Sequence, residues 1–153
     1  MTALFAALHH LAVLTLLGCT LMSIVQWRQP FDLSRARRLR ATDMLNGITA
    51  TLILLVGLVR VLYLEKGAAY YFHNGPFIAK LALYGLASVL SLMPTLDMLR
   101  WRVPLKQGRL PALSPQKQTQ MRIVAYLQLA CLVAMMVCAN QAARGVDTAA
   151  FAQ

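Results

Sequence analysis

Charge is scarce in this sequence, and acidic charge is scarcest: five Asp and Glu stand against fifteen Lys and Arg in 153 residues. Charged residues make up 13% of the chain and apolar residues 59%. An ordinary soluble domain has about 25% and about 45–50%. A surface with this composition cannot face water throughout, so a soluble globular protein is excluded. The net charge of +10 lies in two blocks between apolar runs, which argues against a nucleic-acid partner and for a lipid bilayer.

Several kinds of reactive motif are also missing. The three cysteines, Cys19, Cys131 and Cys138, all fall inside apolar runs and form no Cys-x-x-Cys pair, so we interpret them as small core residues. No Ser-His-Asp order, phosphate loop or HExxH motif occurs. The N-terminal run lacks the basic leader of a secretory signal peptide and is interpreted as a first membrane span.

Four apolar runs are long enough to cross a bilayer, which takes about 20 residues each. They cover roughly residues 4–26, 44–64, 76–96 and 123–141. None has the alternating pattern of a barrel strand, so a helical bundle is the spanning structure that remains. The sequence therefore predicts an all-α membrane protein, an up-down bundle of four transmembrane helices, formed by residues 1–153 as a single domain.

The loops between these spans predict an orientation. Eleven of the fifteen basic residues lie in the first and third loops, in residues 28–43 and 97–122. Basic loops stay in the cytoplasm, so both termini and the second loop are predicted to face outward. Trp27 and Trp101 fall at the cytoplasmic span ends and Tyr63 at the outer end, where aromatic rings favour the headgroup layer. The proline-containing stretch 102–120 is predicted to be an irregular loop.

Polar residues from different spans are predicted to meet at the outer end. His9 and His10 lie about two turns into the first span, Arg60 about one turn from the end of the second, and Lys80 about one turn into the third. Further candidates are near this layer: His73, Asn74 and Tyr63. Asn74 suits the N-cap of the third span. Ionisable side chains at membrane depth usually face the bundle interior or a polar cavity.

Imidazole and cations at one depth are the residue types that a heme requires. Imidazole ligates heme iron, and the heme propionates need cations near the membrane surface. Three alternatives remain. Lys80 and Arg60 could serve as snorkelling anchors, three histidines and Glu65 could bind zinc, and copper could be bound among eight methionines that form no Met-x-x-Met array.

Four segments together resemble a family of small four-helix bacterial membrane proteins: HHLAV, RARRL, GLVRVLYLEKGAAYYFHNGPFIAKLAL and LSLMPTLDMLRWR. This is a domain-of-unknown-function family, so the resemblance implies no activity. The chain also resembles, more distantly, the heme-binding protoporphyrinogen oxidases of the HemJ type. His10 and the Gly75, Ala79, Lys80 and Leu81 pattern carry that resemblance, which implies a heme-ligating histidine and a lysine needed for activity. Phe77–Ile78 stands where those enzymes have a histidine before the lysine.

The predicted function is that of a redox protein of the bacterial inner membrane that binds heme b, with His10 as the axial metal ligand and both termini in the periplasm. His9, His73, Tyr63 and Asn74 belong to the candidate cofactor site. Arg60 and Lys80 are the candidate catalytic residues, and would hold propionates or an anionic substrate that is porphyrin-like or quinone-like. The alternative is a non-enzymatic accessory or scaffold subunit of a membrane complex. A homodimer fits either function.

Overall fold

The computed structural model describes residues 2–64 and 75–143. Four long helices account for most of this part of the chain: α1 (Thr2–Trp27), α2 (Leu33–Val59), α3 (Gly75–Arg100) and α5 (Pro115–Ala143). A short helix, α4 (Arg102–Lys106), follows α3, and α2 continues into a π-helical turn, Arg60–Leu64. No strand occurs within the described residues. The predicted all-α class is therefore confirmed.

The long helices pack in a closed ring. α1 packs against α2 and α5, and α3 packs against α5 and α2. The first parts of α1 and α3 and the last parts of α2 and α5 meet at one end, so each helix is antiparallel to both of its neighbours and the bundle is up-down. We call the end that carries His9, His10 and Lys80 the histidine end, and the end that carries the two Arg-rich loops the basic end.

Three of the four helices extend well beyond the predicted spans at the basic end. α2 begins at Leu33 rather than near residue 44, because Asp32 caps it: its carboxylate accepts the Arg35 backbone N–H at 2.7 Å. α5 begins at Pro115, and α4 forms within the stretch predicted to be an irregular loop, so that prediction holds for residues 107–114 and is wrong for the rest. Arg, Leu and Ala favour helix formation, whereas a hydropathy scale assigns Arg to a loop. Pro115 lies in the first turn of α5, where a proline is tolerated.

A buried apolar cluster closes the basic end, and the two tryptophans belong to it. Trp27 and Trp101 are 3% and 6% exposed, and their rings meet edge to face with centroids 6.2 Å apart. Leu39, on α2, is 1% exposed in the same cluster. Both tryptophans lie at helix ends, as predicted, but their rings are buried inside the bundle and do not face outward as headgroup anchors would.

The outer surface of the bundle is apolar on all four long helices. Leu14 on α1, Leu55 on α2, Val89 on α3 and Val133 on α5 are each more than half exposed. Segments of all four helices are long and apolar enough to span a bilayer: Ala3–Trp27, Leu33–Tyr63, Gly75–Arg100 and Pro115–Gln141. Apolar surface of this extent on every side is the surface that lipid chains cover.

Candidate functional site

The structure brings both N-terminal histidines and Lys80 to one cavity at the histidine end. This histidine cavity has a volume of about 380 Å³ and lies between α1, α2, α3 and α5. Its remaining wall is mostly apolar, with Asn140 of α5 as a further polar group. His9, His10 and Lys80 thus lie in one wall, and their roles stay predictions.

His10 is held in a defined tautomer. Its Nδ1 lies 2.6 Å from the Ala6 carbonyl oxygen, one helical turn earlier. A carbonyl oxygen can only accept, so Nδ1 carries the hydrogen atom and donates the hydrogen bond. The lone pair is then on Nε2. Metal-ligating histidines characteristically donate their other ring N–H to a backbone carbonyl or a carboxylate. His10 can therefore bind a metal through Nε2. A histidine in a helix can also make this hydrogen bond when it binds no metal.

His9 occupies the inner side of α1, next to α2. The rings of His9 and His10 are nearly perpendicular, with centroids 6.2 Å apart. α2 approaches closely at Gly57, where an added Cβ atom would lie 3.5 Å from His9 Cε1. A second, smaller cavity of about 70 Å³ lies on this side, and we call it the side cavity. Both cavities share His9, Lys80 and Tyr84 in their walls.

Two other predicted site residues are not part of these walls. Arg60 is half-buried in the π-helical turn, and it is not among the described residues that line either cavity. Tyr63 is 80% exposed on the same turn, so it faces the surroundings of the bundle. His73 and Asn74 lie outside the described residues. Of the predicted cluster, the described residues that line the histidine cavity are the two histidines and Lys80.

Tyr84 is a site residue that the sequence-based predictions missed. Its hydroxyl donates a 2.8 Å hydrogen bond to the Ala50 carbonyl of α2, and its ring lies between the histidine cavity and the bundle interior. One signal pointed to it. Residues four apart share a helix face, and Tyr84 follows Lys80 by four positions.

A multi-residue metal centre is not found. Within residues 2–64 and 75–143, no group of three or more His, Cys, Asp or Glu could hold a metal ion. A heme needs fewer protein ligands than a zinc or copper centre, because the porphyrin supplies four nitrogens. The described residues therefore offer no ready zinc or copper centre, but they do offer single imidazoles.

Comparison with known proteins gives one match. No curated protein and no solved structure matches this chain. The resemblance to the heme-binding protoporphyrinogen oxidases is accordingly not shown. A family described as "Predicted membrane protein (DUF2214)" matches residues 1–147, nearly the whole sequence. Its match agrees with the four apolar helices and with the apolar outer surface. The chain belongs to this DUF2214 family of predicted membrane proteins.

Proposed function

We propose that this protein binds heme b in the histidine cavity, with His10 as an axial ligand, and serves as a membrane redox protein. The observation that carries the proposal is the hydrogen bond from His10 Nδ1 to the Ala6 carbonyl, which leaves Nε2 as the ligating nitrogen of a residue that lines the cavity. The bound group would supply one-electron transfer. The residues of the chain would supply the site: ligation, an apolar enclosure and a positive charge.

The cavity and its wall suit an amphipathic ligand. Its volume of about 380 Å³ falls in the range of about 300–1,000 Å³ that is usual for small-molecule sites. Val13, Ile53, Leu132 and Met135 supply apolar contacts. Lys80 supplies a cation on the same wall, and an ammonium forms strong charge-assisted hydrogen bonds with a carboxylate.

A substrate of the redox reaction would have to approach the same end. Lys80 would attract the acidic groups of a porphyrin-like molecule or the carbonyl oxygens of a quinone-like molecule. Arg60 stays a candidate for the same task from the π-helical turn. Single π-helical turns occur frequently at functional sites.

We also propose the bacterial inner membrane as the location, with both termini in the periplasm. The basic end carries both Arg-rich loops, and loops rich in Arg and Lys remain in the cytoplasm. The histidine end would then face the periplasm. A heme or substrate would be bound close to the outer headgroups, where Lys80 could contact water as well.

A second candidate function is a non-enzymatic accessory or scaffold subunit, alone as a homodimer or within a larger complex. The packing of His9 against α2 at Gly57 favours it. In that case Lys80 would act as an anchor near the headgroups, and the histidines would serve packing between α1 and α2.

The visible absorption spectrum of the purified protein separates these functions. Expression with ample heme and extraction in a mild detergent should give a Soret band. His10→Ala should remove or shift the band, and His9→Ala should change it less. A spectrum without heme under these conditions would overturn the redox proposal in favour of the scaffold function. Elution of each variant as wild type in size-exclusion chromatography controls for folding.

A further inference from the structure

Asp43 lies inside the bundle, and no ion pair joins it to another described residue. Of the three carboxylates in the described residues, Asp32 caps α2 and Asp97 forms an ion pair with Lys117 at 2.8 Å. Asp43 is half-buried, and its hydrogen bond within the described residues comes from the Thr95 hydroxyl of α3, at 3.1 Å. An ionisable side chain in the interior of a membrane bundle is costly to keep, and it commonly marks an ion or proton pathway.

Three cavities follow one another from Asp43 to the histidine end. The Asp43 cavity has a volume of about 20 Å³, and the next one, which we call the middle cavity, has about 50 Å³. Thr20, Asn46 and Gln128 line both of them. The middle cavity in turn shares Tyr84 and apolar residues with the histidine cavity of about 380 Å³. The series therefore extends along the bundle axis.

The two inner cavities have the size and polarity to hold water. A buried water needs about 10–15 Å³ of such volume and two to four polar partners. The Asp43 cavity has room for about one water and the middle cavity for about three. The middle cavity also has hydroxyls of Ser91 and Thr95 in its wall. Asn46 Oδ1 is buried, and no described residue donates a hydrogen bond to it, so it is an acceptor for such a water.

Tyr84 stands where the polar part of the series meets the apolar part. On one side, the wall of the middle cavity carries hydroxyl and amide groups. On the other side, the histidine cavity is mostly apolar. The Tyr84 hydroxyl donates to the Ala50 carbonyl, and its oxygen retains the capacity to accept a hydrogen bond from a water. Any water-borne proton passing between the two cavities would pass this ring.

From this arrangement we propose that Asp43 is a proton-exchange site, and that a hydrated line of polar side chains carries protons between it and the histidine cavity. A proton from water at the basic end would bind the Asp43 carboxylate and neutralise it. It would then pass to a water in the Asp43 cavity, which returns Asp43 to the carboxylate. Waters held by Thr20, Asn46 and Gln128 would relay it to the restriction at Tyr84. The net result is one proton moved and no group consumed.

The charged groups around Asp43 leave it as the titrating group of this line. In the Asp43 cavity, α1, α3 and α5 contribute only uncharged side chains among the described residues. Arg40 lies one turn earlier on α2 itself. The Asp97–Lys117 ion pair joins α3 to α5, with Asp97 two positions after Thr95. Arg40 and the Asp97–Lys117 pair thus lie in turns adjacent to Asp43, on the side of the basic end. Water at the basic end would deliver the proton to Asp43.

The test is proton flux into vesicles that contain the full-length protein and a trapped pH-sensitive dye, driven by a potassium diffusion potential. Wild type should acidify the lumen faster than protein-free vesicles do. Asp43→Asn should lose this excess flux, Asp43→Glu should retain part of it, and Tyr84→Phe should reduce it. Thr51→Val is the matched control, because Thr51 is an exposed hydroxyl-bearing residue of α2, and its flux should equal that of wild type.

The proposal does not depend on heme, and the same assay shows this. Wild-type protein expressed without added heme, which shows no Soret band, should conduct as wild-type protein expressed with ample heme does. The proton path would be overturned if wild type conducted no faster than protein-free vesicles, or if Asp43→Asn conducted as fast as wild type. Asp43 would then be a packing residue that is hydrogen-bonded to Thr95. Undiminished flux in Tyr84→Phe would overturn the route past Tyr84. Matching elution profiles and helical circular dichroism keep misfolded variants out of the comparison.

Discussion

Replacing Lys80 by Gln distinguishes a binding site from a membrane anchor. Gln keeps much of the length and a donor N–H group but removes the charge. Lys80 is half-buried in the wall shared by the histidine cavity and the side cavity. A hydrogen bond to a charged group contributes about 1.5–3 kcal/mol. Because water screens a half-buried group, the lower value applies, and about 1.4 kcal/mol corresponds to a tenfold change in affinity. Lys80→Gln should therefore weaken the binding of a carboxylate-bearing ligand about tenfold.

The assay is a titration of hemin into the purified protein in lipid nanodiscs, with the Kd read from the Soret band. Lys80→Arg should restore part of the affinity, since it keeps the charge and changes shape and reach. Lys106→Gln is the matched control: Lys106 is an exposed lysine at the basic end, and its loss should leave the Kd unchanged. An equal Kd for wild type and Lys80→Gln, with equal or higher stability of the variant, would show that Lys80 is an anchor.

Three further predictions concern the fold. Leu39 is 1% exposed, so Leu39→Ala should lower the free energy of unfolding by about 2–5 kcal/mol. Leu45→Ala, at an exposed position of α2, should change this free energy little. Equal losses of the two variants in detergent unfolding would contradict the buried cluster. The Arg35 backbone N–H and the Ser34 hydroxyl hold the pKa of Asp32 below its usual range, so its capping contribution is present above the unfolded pKa and is lost as pH falls through the folded pKa. Hydrogen exchange of the first turn of α2 should show this loss, and Asp32→Asn should remove the pH dependence. A topology reporter after Gln153 should behave as periplasmic and one near Pro111 as cytoplasmic, and a periplasmic Pro111 reporter would reverse the orientation.

The sequence predicted the number, type and order of the long helices because bilayer thickness sets a length that apolar runs must meet. It placed several helix ends at the basic end wrongly for the same reason. Hydropathy stops at the first arginines, whereas helix propensity and the Asp32 cap carry α2 from Leu33 onward. The position of Trp101 was misjudged because the depth of a ring along the axis does not say whether neighbouring helices enclose it.

The candidate site was predicted in part, and the failures have a geometric cause. Counting residues along each helix gives depth, which is why His10 and Lys80 were correctly brought together. It does not give the direction that a side chain faces. The π-helical turn from Arg60 changes the phase of α2 there, so Arg60 and Tyr63 do not continue the cavity-facing side. Asp43 was assigned to the first basic loop, because the sequence around it does not show that α2 already includes it. In the structure, Asp43 lies on α2 and lines a cavity together with residues of α1 and α3.

Filling the histidine cavity with a bulky side chain tests whether the cavity holds a heme. Ala139 of α5 lies in the wall, so Ala139→Phe would place a ring in the space and leave His10 intact. Ala130→Phe, on an exposed position of the same helix, is the control. Hemin titration of the purified proteins should saturate at one heme per chain for wild type and Ala130→Phe, and Ala139→Phe should bind far less. Equal saturation of all three would place any heme elsewhere, and no binding by wild type would contradict the account.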